Sequence, residues 1–80
     1  MDFVKPIKTL HGTNPESLQN DYVNAYSKLR EAMEAFQNIE FNARDYSDFN
    51  TFCKAKEERR EFCSRIATTL DYLEDIASSI

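Results

Sequence analysis

Residues 45–80 read DYSDFNTFCKAKEERREFCSRIATTLDYLEDIASSI, and this stretch decides the fold. From Phe49 onward, Phe49, Phe52, Lys56, Arg59, Cys63, Ile66, Leu70, Leu73, Ala77 and Ile80 follow one another in steps of three and four. That is the spacing of a helix with one buried seam. The run contains neither Pro nor Gly, so nothing in the covalent chain bends or stops it. At 1.5 Å per residue it predicts a rod roughly 50 Å long. Asp45 or Ser47 is the expected N-cap, with Asp48 in the first turn.

The preceding segment supplies a partner for that seam. Asn14, Pro15, Glu16 and Ser17 form a helix start: a capping side chain, a Pro where a missing N–H costs nothing, and an acid at the positive end of the macrodipole. Leu18, Tyr22, Ala25, Leu29, Ala32, Phe36 and Ile39 then repeat in alternating steps of four and three, with Tyr26 and Met33 widening the stripe. The first helix is expected over residues 15–41, ending near Glu40 to Asn42, and the second over 46–80. The short polar connection between them folds the pair back as an antiparallel hairpin. Residues 1–14 form an arm with Val4, Ile7 and Leu10 as apolar points, Pro6 as a breaker and Gly12 as the only glycine. Counted from the turn, the first helix covers the second only to about Thr69. Leu70, Leu73, Ile76, Ala77 and Ile80 are left for the arm or a second chain to cover. Tyr26, Met33, Phe62 and Ile76 flank the seam. The expected fold is therefore all-α: two long helices in a hairpin with an N-terminal arm, completed by oligomerisation, as a homodimer or larger, into a helical bundle.

Eighty residues make one small domain, in which a single core seldom supplies more than about 3–5 kcal/mol unaided. Disulfide support is not expected within the chain. Cys53 and Cys63 lie ten residues apart on one predicted helix, so about 15 Å separates their Cα atoms, beyond the roughly 7 Å that can be bridged. Reduced thiols point to an intracellular setting, with a bond between subunits as the alternative. Metal is not expected either: His11 is the only histidine, and no Cys-x-x-Cys or His-x-x-x-His pair sets a ligand spacing. No apolar run has the length of a membrane span, and the first residues lack the basic flank and apolar run of a signal peptide. The expectation is a complete soluble cytoplasmic polypeptide with no cofactor. A net charge of −4 disfavours a duplex nucleic-acid binder working through a broad basic face.

Two stretches break the pattern. In Lys54-Ala55-Lys56-Glu57-Glu58-Arg59-Arg60-Glu61, the seam positions Lys56 and Arg59 are cationic where neighbouring turns supply Phe, Cys and Ile. One explanation lays their aliphatic stems along the seam and pairs their heads with Glu31 or Glu34. The other gathers Lys56, Arg59 and Arg60, with Arg65, around an anionic ligand or a partner's carboxylate, Tyr22 and Tyr26 offering a stacking face; Tyr26, Lys56, Arg59 and Arg60 are the candidate anion-binding set. The second break is Asp71, Glu74 and Asp75 near the C-terminus of the second helix, where acids oppose the macrodipole. Lys5 and Lys8 of the arm could offset that cost, or a basic surface on another protein could, which makes Asp71, Glu74 and Asp75 the candidate partner-binding set. Catalytic residues are not expected. His11 lies in the arm without a fixed neighbour, and no nucleophile elbow or paired carboxylates in a cleft accompany it.

Ser27-Lys28-Leu29-Arg30-Glu31-Ala32-Met33 resembles the helix motif of phage hairpin proteins that sequester cyclic nucleotides of bacterial immunity. That family carries the motif on its later helix, whereas here it lies on the earlier one, and no site residue is carried over. The resemblance implies an oligomer that traps a nucleotide. The leading functional expectation from the residues themselves is a non-enzymatic helical protein that binds another protein, such as a phage or mobile-element inhibitor or adaptor of a host protein. A ligand-sequestering oligomer for a small phosphorylated, nucleotide-like molecule is the rival, and a structural coiled-coil or virion subunit is the third.

Overall fold

The computed structural model describes residues 3–7, 12 and 14–80. It has two α-helices, α1 (Pro15–Gln37) and α2 (Phe49–Ser79), joined by a loop that includes a 3-10 turn (Ala43–Asp45). They pack antiparallel as a hairpin with no strand among the described residues.

Each helix begins where its capping chemistry allows. Asn14 Oδ1 accepts from the backbone N–H groups of Glu16 at 2.9 Å and Ser17 at 3.3 Å, with Pro15 as the first helical residue. For α2 the cap is Asp48, not Asp45 or Ser47: its carboxylate accepts from the Thr51 N–H at 2.7 Å, and Asp45 closes the 3-10 turn instead. The Thr51 backbone hydrogen bond holds the Asp48 carboxyl below its usual pKa. A depressed carboxylate pKa contributes stability above the unfolded-state value and loses it as pH falls through the folded one. Asp48→Asn is therefore expected to flatten the acid side of the stability curve below about pH 4, read as urea midpoints at stepped pH. An acid limb unchanged from wild type would remove Asp48 from that role.

Helix α1 stops at Gln37, four residues short of the predicted end. Asn38 caps it, its N–H donating to the Glu34 carbonyl, and the Ile39 N–H reaches Phe36 O at 3.2 Å. The cause lies just beyond. Phe41 leaves the helical path to stack on Phe52 at 5.0 Å between ring centroids and meets Tyr46 edge-on at 5.6 Å, building an aromatic cluster under the turn.

The seam is also rotated from the predicted one. On α1 the less exposed positions are Leu18, Tyr22, Tyr26, Leu29, Met33 and Phe36, whereas Ala25 and Ala32 face outward and Ile39 lies beyond the helix end, exposed. Tyr26 and Met33 remove more apolar surface than Ala25 and Ala32 can, so the rotation buries more. On α2 the corresponding positions are Phe52, Ala55, Arg59, Cys63, Ile66, Leu70, Leu73 and Ala77. Ala55 takes the turn given to Lys56, whose ammonium stays in water, and Phe49 is 72% exposed at the start of the helix.

The arm docks near the C-terminal end of α2, with Lys5 beside the acidic cluster as one reading expected, but not through the expected apolar residues Val4 and Ile7. The Phe3 ring meets Tyr72 edge-on at 5.1 Å, and Lys5 Nζ lies 3.6 Å from the Asp75 carboxylate. Val4 is 94% and Ile7 83% exposed. An extended chain turns alternate side chains to opposite sides, so holding Phe3 and Lys5 against the helix leaves Val4 outside. Leu10, Lys8 and His11 lie outside the described residues.

The hairpin is thin. It measures 60 × 22 × 15 Å with a Cα radius of gyration of 17.8 Å, against about 12 Å for a compact chain of this length. Ile76 is the one fully buried side chain among the described residues.

Candidate functional site

The cationic positions do not form a common site. Arg59 instead closes the end of α1. Its Nη1 donates to the Ile39 carbonyl at 3.0 Å, and its Nη2 to the Gln37 carbonyl at 2.9 Å and the Phe36 carbonyl at 3.5 Å. The guanidinium carbon also lies 5.1 Å from the Phe41 ring centroid and 5.8 Å from that of Phe36. The last carbonyls of a helix have no intrahelical donor and carry its negative end, and α1 has no basic residue in its own last turn. Arg59 supplies from the neighbouring helix what α1 lacks. Pairing of Arg59 with Glu31 or Glu34 does not occur because its height along the hairpin matches the end of α1, beyond both acids.

Lys56 and Arg60 point away from Arg59 into solvent, one turn apart on α2. Arg60 lines an open concavity of about 680 Å³ on the outer face of α2 with Glu57, Glu61, Ser64 and Arg65. Arg65 there is paired with Glu61 at 2.8 Å, and the Thr68 and Thr69 hydroxyls are turned back onto the Ser64 and Arg65 carbonyls at 2.9 Å each. The wall therefore balances two acids with two bases. Tyr26 is separated from this set; at helical rise it lies about 15 Å from the Arg59 end.

The acidic positions divide as well. Asp75 is engaged by Lys5 of the arm, while Asp71 and Glu74 are exposed. Glu74 lines a smaller groove of about 240 Å³ with Gln19, Val23, Tyr26, Ala77 and Ser78, drawn from both helices. One member of each candidate set, Tyr26 and Glu74, is thus brought to a single groove. Its floor is tied by Gln19 Nε2 donating to the Ala77 carbonyl at 3.0 Å. Close by, Tyr22 shares a side-chain hydrogen bond with Tyr72, which, together with the charge of that neighbour and partial burial, pushes the Tyr22 pKa up.

Sequence periodicity did not find Arg59 as a cap, Phe3 as the docking aromatic or the Tyr22–Tyr72 pair. The first was open to discovery. A helix without a Gly at its end or a base in its last turn needs donors from elsewhere, and a cationic seam residue at matching height can provide them.

Cys53 and Cys63 are free and half-buried. Among the described residues no three His, Cys, Asp or Glu side chains are grouped as a metal site would require. No helix among them is long and apolar enough to cross a membrane. In comparisons with known proteins, no family model, curated protein or solved structure matches this chain.

Proposed function

We propose that this chain is a non-enzymatic helical binding module that works in the cytoplasm by holding another protein, with the exposed carboxylates at the end of α2 facing a basic patch on that partner. The observation that carries this is the hairpin's bare surface. It exposes 6473 Å², about 1,500 Å² more than the roughly 5,000 Å² of a compact protein of this mass. Surface of that extent on two rigid helices suits docking rather than enclosure of a substrate. Among the described residues Asp71 and Glu74 make no ion pair, and the net charge of −4 steers the whole molecule toward a basic surface.

The test is affinity capture from extract of the cells that make the protein. Immobilised wild type is compared with Asp71→Asn/Glu74→Gln and with a scrambled-sequence helical control. A discrete protein should be retained by wild type, released by moderate salt and bound about tenfold more weakly by the double variant. Retention no greater than on the scrambled control would sink the binding module. Equal retention on the double variant would sink the acidic contact.

A further inference from the structure

We propose that the arm is a displaceable stand-in for the partner, and that the α2 surface of Tyr72, Asp75 and Ile76 takes an extended basic peptide segment in its place. This rests on the binding module and states the chemistry of what that module holds. The segment carries an aromatic side chain, a Lys or Arg two residues further on, and a second base just before the aromatic.

The arm shows how such a segment is read. Pro6 confines Lys5 to extended backbone, and residues 3–7 form neither helix nor strand. Side chains two apart in an extended chain point the same way, about 6–7 Å from each other. Tyr72 and Asp75 stand one turn apart on one face of α2, about 4.5 Å along its axis. The two spacings match closely enough for Phe3 to meet Tyr72 edge-on at 5.1 Å while Lys5 Nζ comes within 3.6 Å of the Asp75 carboxylate. Ile76, one turn beyond Tyr72, is fully buried beside them. A replacement therefore has to bring a ring and a cation at the same spacing.

The arm's own hold is weak. No hydrogen bond among the described residues joins residues 3–7 to either helix. The ion pair has side chains 45% and 39% exposed, where water and salt screen it. Val4 and Ile7 add nothing, being turned to solvent. Charge points the same way. Asp2 precedes Phe3 and cancels Lys5, so residues 1–7 bring no net side-chain charge to a surface bearing Asp71, Glu74 and Asp75. A segment with a base in place of that acid complements those carboxylates better than the arm does. It binds the more tightly the less the arm occupies the surface, because apparent affinity falls with the fraction of sites already filled.

Amide spectra of the isotope-labelled full chain, titrated at low salt with capped peptides to about 2 mM, test this. The probes are Lys-Phe-Val-Lys-Pro-Ile, the arm's own Asp-Phe-Val-Lys-Pro-Ile, and a scramble of the first. In Phe3→Ala/Lys5→Ala the surface is open, and the first peptide should bind at least about fivefold more tightly than it binds wild type. Its saturable shifts should centre on Tyr72, Asp75 and Ile76, and the arm's own sequence should bind at least about threefold more weakly. Adding Tyr72→Ala/Asp75→Asn to the open chain should weaken binding at least about tenfold. Lys5→Ala alone keeps Phe3 in place and serves if the double variant unfolds, with a gain of about twofold.

Equal affinity for wild type and the open chain would overturn the arm as a stand-in. A scramble that binds as well, or no saturable shift in either chain, would overturn the surface. A wild-type dimer that Phe3→Ala/Lys5→Ala dissolves would put a second copy's arm there and overturn the foreign segment. In the extract capture, a partner held no better by the open chain than by wild type overturns this inference and leaves the binding module standing. No partner at all sinks the module, and the peptide titration then decides the surface by itself.

Discussion

Replacing Arg59 with alanine is expected to cost about 2–3 kcal/mol of stability and lower the melting temperature by roughly 10–20 °C. The side chain donates to the carbonyls of Phe36, Gln37 and Ile39, and its charge sits at the negative end of α1. Hydrogen bonds from a charged group contribute about 1.5–3 kcal/mol in favourable cases, discounted here because Gln37 and Ile39 are exposed and water can replace part of what is lost. Stacking on Phe41 and Phe36 adds about 0.5–1 kcal/mol. Set against the few kcal/mol a core of this size provides, the loss would leave a large unfolded fraction at 37 °C. Arg59→Lys should recover about half, because an ammonium keeps the charge but cannot fork between three acceptors. Urea melts followed by circular dichroism decide it. A loss below about 0.5 kcal/mol for Arg59→Ala would mean that water serves those carbonyls equally well.

The same residue shows where sequence was sufficient and where it was not. The helical period, the absence of Pro and Gly after residue 45 and the Asn14-Pro15 start made the hairpin legible, because these are local properties of the chain. The rotation of the seam was not legible. Ala25 and Ala32 keep the heptad as well as Tyr26 and Met33 do, and only the packed pair reveals which column removes more surface. The two ends of the loop were misplaced for a similar reason. Phe41 continued the helical pattern on paper, yet its best contacts are Phe52 and Tyr46, which lie across the turn. Arg59 and Lys56 looked equivalent as cations on one stripe. The register of the hairpin separates them, aiming Arg59 at a helix end and leaving Lys56 in water. Asp75 looked equivalent to Asp71 and Glu74 until the arm placed Lys5 beside it.

Ile76→Ala is expected to destabilise the fold by about 2–4 kcal/mol, the cost of removing a fully buried branched side chain where the surroundings can collapse only in part. A two-helix hairpin should not enclose any residue completely, and the rest of α2 conforms to that. Ile76 is the exception because it sits beside Tyr72 and Asp75, the two positions that hold the arm through Phe3 and Lys5. The arm is then a third layer laid over this end of α2. Removing residues 1–7 should cost about 1–2 kcal/mol, mostly from the aromatic pair and the uncovered Ile76, since a half-exposed ion pair contributes at most about 1 kcal/mol. The informative quantity is the coupling. In the shortened chain Ile76 is already open to water, so Ile76→Ala should cost at least about 1 kcal/mol less there than in the full chain. Urea melts of the four proteins measure it. Strict additivity would mean that α1 and α2 bury Ile76 without the arm, whereas coupling of the expected size makes Phe3 and Lys5 part of the folding unit.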